Sequence, residues 1–174
     1  MECLDPRPSL VVDPSDDATV AELVLKIHRC AMAGLCFGDT RSWDWGWRLL
    51  AQVAPREEVG PLFGQFYGFG RSLLAAAQRP LSCRPIFYCG HCAEEALALR
   101  MIESAQRADH AATLSAASDL LQVDDLGGVL QATQSLASAL RARGLCVRGV
   151  AEAAPDPRSL AKRRRPHLRL AIDR

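Results

Sequence analysis

The chain of 174 residues has few of the residues that build β-structure, and it has no long apolar segment. Aromatic residues make up 6% of it, and β-branched residues are sparse beside alanine and leucine, which favour helices. Charged or amide side chains interrupt every apolar stretch before it reaches the roughly 18–20 residues that cross a bilayer. The first 15 residues hold acids and prolines instead of the basic start and apolar run of a secretory signal. We therefore expect a cytoplasmic protein without a membrane-spanning segment.

The sequence also lacks the common motifs of catalysis. It contains no phosphate-binding glycine loop, no serine or cysteine nucleophile with a recognisable partner motif, and no pair of histidines at ligand spacing on one helix. These absences favour a small non-catalytic binding or regulatory protein over an enzyme.

The length and the hydrophobic content of 49% are sufficient for one domain with a continuous core. Apolar residues at helical spacing predict an all-α fold of five or six helices. Residues 85–88 and 145–150 could add a minor two-stranded β appendage. We expect the helical domain to cover residues 1–157, with an N-terminal extension at 1–15.

Residues 158–174 are predicted to form a basic tail. They carry seven arginine and lysine residues against one acid, for a net charge of +6, whereas residues 1–157 carry −5. The run Lys162–Arg165 could bind nucleic acid, but no recognisable nucleic-acid-binding motif supports this, and basic termini are usually solvated. We expect the core to fold without this tail, unless Leu168, Leu170 and Ile172 form an edge strand.

The first predicted helix is capped by Ser15 and carries an apolar stripe that begins at Val20. Gly34 is expected to end this helix. His28 lies one position off the stripe, so we expect it at the polar edge of the helix.

All three tryptophans fall in one short segment, Trp43, Trp45 and Trp47, which we expect to open a helix capped by Asp39 or Ser42. Trp43 and Trp47 share a helix face at a spacing of four, whereas Trp45 points elsewhere. Core packing explains most such side chains, but an exposed indole would be an anchor for a partner. The segment is therefore a candidate binding surface for another protein or for a second copy of this chain.

Gly60, Gly64 and Gly68 recur every four residues in the next predicted helix and share one face. Each glycine inside a helix destabilises it by roughly 0.5–1 kcal/mol relative to alanine. Three glycines on one face therefore indicate that another group lies close to the helix backbone there. A tightly packed helix is the common cause, and a flat ligand or a subunit interface is the alternative. With a packed neighbour, valine at Gly64 would cost about 1–3 kcal/mol by overpacking.

Four potential metal ligands directly precede the fourth predicted helix: Cys83, Cys89, His91 and Cys92. Two cysteines separated by two residues can place both sulfurs around one metal ion, with Cys83 as a third ligand. Zinc prefers four ligands. Because His91 is constrained by its position between two ligands, Cys36, Cys30 or His28 could supply the fourth. We expect a structural zinc site here; an iron–sulfur cluster would use the same thiolates.

The segment Tyr88-Cys89-Gly90-His91-Cys92 resembles the active-site turn of protein disulfide isomerases and other thioredoxin-like proteins. The resemblance covers five residues, and the helical flanks differ from the strand-rich frame of those proteins. It implies Cys89 as the attacking thiolate and Cys92 as the resolving thiol of an oxidoreductase or redox sensor. Besides the metal and redox interpretations, the cysteines could be small core residues around a glycine turn.

Overall fold

The computed structural model describes residues 17–150, and their side chains from residue 20 onward. This part of the chain contains six helices and no strand, which confirms the predicted all-α fold. The helices are α1 (Asp17–Phe37), α2 (Thr40–Leu50), α3 (Arg56–Ala76), α4 (Ala93–Gln106), α5 (His110–Leu121) and α6 (Gly127–Arg141). None of them has the length and apolar character needed to span a bilayer.

Several predictions concern segments outside the described residues. They are the N-terminal extension 1–15 with its cap at Ser15, and the basic tail 158–174 with its run Lys162–Arg165.

The expected β appendage is absent from residues 17–150. Residues 85–88 form a turn, in which the Tyr88 amide donates to the Pro85 carbonyl. The Gln106 side chain takes the place of a strand partner for residues 145–150: its Nε2 donates to the Leu145 carbonyl at 2.8 Å, and its Oε1 accepts the Val147 amide at 2.8 Å. A side chain of α4 therefore satisfies the backbone that we expected to pair with residues 85–88.

The first three helices pack around two glycines. α1 continues past Gly34, where we expected it to end, and stops at Phe37 before Gly38, which has a φ of +65°. Gly34 instead lies under the Trp43 indole, so that a Cβ built there would fall 1.6 Å from Nε1. Gly46 of α2 similarly accommodates Phe63 of α3. These missing side chains allow α2 to lie close against α1 and α3.

The core lies between these helices and the second half of the chain. α3 packs on α6, and α4 packs on both α5 and α6. The side chains at the centre are fully buried: Leu23 and Ile27 of α1, Phe66 and Phe69 of α3, Met101 and Ile102 of α4, Leu120 of α5, and Leu136 and Leu140 of α6.

The three glycines of α3 do not share one packed neighbour. A Cβ at Gly60 would meet the Trp47 ring at 3.1 Å, but at Gly64 and Gly68 nothing lies within 4 Å. The prediction that valine at Gly64 overpacks the structure is therefore wrong in its premise. Gly68 instead borders a shallow cavity of about 220 Å³ between α3 and α6.

We expect alanine at Gly64 and at Gly46 to change stability in opposite directions. Gly64→Ala should raise the free energy of unfolding by roughly 0.5–1 kcal/mol, because alanine favours the helix and its Cβ meets open space. Gly46→Ala would place a Cβ 2.6 Å from Phe63 Cε2 and should cost about 1–3 kcal/mol. Urea unfolding of both variants measures the two changes, and equal signs would contradict this packing.

Candidate functional site

The cysteines of the candidate site lie in an irregular segment, residues 77–92, that connects α3 to α4 and is called here the cysteine loop. Cys89 is exposed in a turn, and the following Gly90 has a φ of +79°, which a residue with a side chain rarely adopts. Cys92 is buried and is the N-cap of α4. The loop forms few backbone hydrogen bonds of its own, so its shape depends on α1 and α4.

A buried ion pair between α1 and α4 fixes this loop. The Arg29 guanidinium binds the Glu95 carboxylate through two hydrogen bonds, Nε–Oε1 at 2.7 Å and Nη2–Oε2 at 2.8 Å. The same guanidinium donates to the carbonyls of Tyr88 at 2.7 Å and Gly90 at 2.6 Å. Both charged side chains are at least 98% buried. Arg29 thus ties two carbonyls of the loop to the buried carboxylate of Glu95.

Glu95 organises the other half of the loop. Its carboxylate accepts the backbone amides of Arg84 at 2.8 Å and Cys92 at 2.9 Å, the second as part of a capping box on α4. Burial alone would raise the pKa of this carboxyl, but Arg29 and the two amides outweigh it and hold the pKa at about 2. Glu95 is therefore a carboxylate whenever the protein is folded near neutral pH.

Two thiols face this carboxylate and are poor nucleophiles. Cys83 Sγ lies 3.5 Å from Glu95 Oε1, and burial together with that negative charge raises the Cys83 pKa well above its usual range. Burial also raises the pKa of Cys92 to about 11, and its Sγ contacts the Ser82 carbonyl at 3.4 Å. Both groups are protonated at neutral pH in the metal-free protein, whereas an attacking group would have to be a thiolate.

Of the predicted metal ligands, Cys83 and Cys92 both lie near the Glu95 carboxylate, but the others do not join them. Cys36 is exposed near the end of α1, Cys89 is exposed in its turn, and His91 is half-buried. Within residues 17–150, no three histidine, cysteine, aspartate or glutamate side chains are placed to hold a metal ion. The Arg29 guanidinium supplies the positive charge between the loop carbonyls and Glu95. The residues as placed do not fit zinc or an iron–sulfur cluster. The zinc site predicted from the sequence stays a prediction, which elemental analysis of the purified protein would test.

The local geometry also differs from what the disulfide isomerase resemblance implies. In that comparison, the helix N-terminus acidifies the first cysteine of the pair. Here α4 begins at Ala93, so its N-terminus acts on Cys92, the second cysteine, whose Sγ accepts the Glu95 amide. Cys89 lies outside the helix. The turn is therefore placed differently from a thioredoxin-like active site.

His28 and Cys30, the other suggested ligands, belong to the core. His28 is 5% exposed and is not at a polar edge, as we had expected. Its ring lies against Phe69, and its Nδ1 has no hydrogen-bond partner among the described residues. Burial lowers the pKa of His28 to about 4 and raises that of Cys30 to about 12. His28 and Cys83 line the same small cavity beside Glu95, but within residues 17–150 no third ligand joins them.

The tryptophans of α2 and two aromatic residues of the cysteine loop form an exposed surface, called here the aromatic surface: Trp43, Trp45, Trp47, Phe87 and Tyr88. Phe87 is 61% exposed and Trp45 40%. The two rings meet edge to face with their centroids 5.3 Å apart, which joins the loop to α2. Arg48 lies over the Trp45 ring at 5.8 Å, and Arg84 over the Tyr88 ring at 4.9 Å.

The predicted partner residues are only partly brought together. Trp43 and Trp47 lie toward α3, where Trp43 meets the Tyr67 ring and Trp47 covers Gly60, whereas Trp45 meets the loop. Gly68 borders the cavity between α3 and α6, with Gly128 and Ser135 on the opposite side. Gly64 faces open space.

Sequence reasoning missed Arg29 as the residue that orders the site. One local signal pointed to its partner: Cys92 and Glu95 have the spacing of a capping box directly before an apolar run. No local signal pairs Glu95 with an arginine 66 positions earlier.

Comparisons of this chain with protein-family models, curated proteins and solved structures gave no significant match.

Proposed function

We propose that this chain is a non-catalytic protein-binding domain that meets its partner through the aromatic surface. The observation that carries the proposal is the exposure of three tryptophans, Phe87 and Tyr88 on neighbouring elements. Isolated exposed apolar residues are ordinary, but tryptophan and tyrosine grouped together with arginine have the composition of protein-binding hot spots.

The rigidity of this surface supports the proposal. Trp45 is carried by a helix, and Phe87 and Tyr88 by a loop whose backbone at Tyr88 and Gly90 is hydrogen-bonded to buried Arg29. A partner would therefore bind side chains that are already ordered, which reduces the entropy cost of association.

The alternative, a thiol-disulfide oxidoreductase or redox sensor using Cys89 and Cys92, has less support. Cys89 is exposed, but the raised pKa of Cys92 makes it a slow resolving thiol at neutral pH. Mixed-disulfide trapping would distinguish the two functions: in a redox pair, Cys92→Ser should accumulate mixed disulfides through Cys89 and Cys89→Ser should accumulate none, whereas the binding domain should accumulate none in either variant.

Site-specific photocrosslinking tests the proposed function. A benzophenone amino acid at Phe87 should give light-dependent adducts with a partner protein in the cells that produce this chain. The same amino acid at Leu114 of α5 is the matched control, because Leu114 is a similarly exposed apolar residue, 47% exposed, outside the aromatic surface. Trp45→Ala should suppress the Phe87 adducts without affecting folding.

Two results would contradict the proposal. Adducts of equal intensity at positions 87 and 114 would show non-specific contact. A Phe87 adduct that persists unchanged in Trp45→Ala would show that Trp45 takes no part in binding.

A further inference from the structure

We infer that the partner of the aromatic surface is a second copy of this chain, bound through antiparallel packing of two α2 helices. This inference rests on the proposed function and names its partner. It follows from the arrangement of charges on the outward face of α2.

The buried face of α2 consists of Ser42, Gly46, Leu49 and Leu50. Asp44 lies opposite this face on the helix and is exposed, and Arg48 follows one turn later on the same side. Trp45 flanks this charged pair toward the cysteine loop, and Trp47 flanks it toward α3. Arg41 is also exposed and lies two turns before Arg48 on the same side. The outward face of α2 thus carries Asp44 between two arginines, with an indole on each flank.

This face is complementary to itself. A two-fold axis at the level of Gly46 relates position 44 of one copy to position 48 of the other in an antiparallel pair. Each Asp44 then lies opposite Arg48 of the second copy, so that two ion pairs form. The same axis brings each Trp45 beside its own counterpart, and likewise each Trp47. A two-fold interface requires this kind of self-matching surface.

Asp44 and Arg48 are available for such pairing. A spacing of four allows them to pair within one helix, but among the described residues there is no ion pair between them; Arg48 lies over the Trp45 ring. The net charge of the chain is +1, so repulsion between two copies is weak. Stacking on Trp45 already holds Arg48 on the outward face, where Asp44 of the second copy would meet it.

Charge reversal at the two positions tests this inference. In Asp44→Arg, the introduced guanidinium would face Arg48 of the second copy, and in Arg48→Glu the introduced carboxylate would face Asp44. We expect either variant to dimerise ~100-fold more weakly than the parent chain, because two like-charge contacts replace two ion pairs. Sedimentation equilibrium of the full chain over a range of concentrations measures the dissociation constants, and circular dichroism confirms that each variant is folded.

The mixture of the two variants gives the decisive result. In a heterodimer, the guanidinium introduced at position 44 of one chain faces the carboxylate introduced at position 48 of the other. The unchanged Asp44 and Arg48 form the second ion pair, so an equimolar mixture should dimerise nearly as tightly as the parent. Native mass spectrometry should show the mixed species in excess. The double variant Asp44→Arg/Arg48→Glu should also dimerise with itself, since both of its ion pairs are restored with reversed direction.

The inference is overturned if the parent is monomeric at millimolar concentration, if the single variants dimerise as tightly as the parent, or if the mixture remains monomeric. These failures differ from that of the proposed function. A monomeric parent whose Phe87 crosslinks to a different protein retains the binding surface but has another partner. A parent that neither dimerises nor crosslinks lacks both.

Discussion

Replacing Arg29 by methionine should lower the free energy of unfolding by about 3–5 kcal/mol. The methionine leaves the Glu95 carboxylate buried without its counter-ion and removes the donors to the Tyr88 and Gly90 carbonyls. Urea unfolding monitored by tryptophan fluorescence measures the loss. The cysteine loop should be affected first, so the buried Cys92 should become reactive to alkylating agents at denaturant concentrations that leave the helices intact.

A double-mutant cycle separates the ion pair from the surrounding contacts. Glu95→Gln alone should also destabilise the protein, because it leaves the Arg29 charge buried without a carboxylate. Arg29→Met/Glu95→Gln should cost less than the sum of the single variants, since no buried charge is then left unpaired. Arg79→Met is the matched control: Arg79 pairs with Glu94 in an exposed ion pair, and its loss should cost less than about 1 kcal/mol. Additive losses at Arg29 and Glu95 would contradict the coupling described here.

Acidification from pH 7.5 to pH 5 should destabilise the protein by about 2 kcal/mol through His28 alone. The pKa of this buried imidazole is lowered from its ordinary value of 6.5 to about 4. The unfolded chain therefore binds a proton at His28 as the pH falls through 6.5, whereas the folded protein binds this proton only near pH 4. The contribution of neutral His28 to the free energy of unfolding is therefore fully present above pH 6.5 and is lost as the pH falls toward 4.

His28→Met isolates this contribution. Because Nδ1 has no hydrogen-bond partner among the described residues, an apolar side chain of similar size should fold about as stably as histidine at pH 7.5 and more stably at pH 5. Glu95 adds its own acid sensitivity only at lower pH, as its carboxyl titrates between 4.5 in the unfolded chain and about 2 in the folded protein. A His28→Met variant with an unchanged pH dependence would show that folding does not lower the pKa of this imidazole.

The helices were predictable because their signals are local. Asp39 and Asp109 cap α2 and α5, and the apolar stripe of α6 lies on its buried face. The end of α1 was not predictable from Gly34, because the contact that uses this glycine comes from Trp43 in the next helix. Spacing alone likewise suggested a close neighbour for Gly64, although that face of α3 meets open space.

The candidate site was less predictable, because its order comes from contacts between distant parts of the chain. The positions of Cys83, Cys89 and Cys92 in the sequence resemble a metal site, but Arg29 binds at the loop and Glu95 carries the negative charge. An arginine inside a helix gives no sequence signal that it will be buried, since most arginines are exposed. The sequence left open whether the tryptophans are packed in the core or exposed, and all three are at least 36% exposed. The contact of Trp45 with Phe87 depends on how the loop folds.

The dependence of the cysteine loop on Arg29 also governs when the aromatic surface can exist during folding. Arg29 meets the Tyr88 carbonyl across 59 positions of sequence, and the backbone around Phe87 obtains its external hydrogen bonds from α1 and α4. An emerging chain that has formed α1 and α2 would therefore present the tryptophans without the loop rings that complete the surface. Contact between α1 and α4 is needed before the loop rings can join Trp45, and this long-range step delays completion of the aromatic surface until the two halves of the domain have assembled.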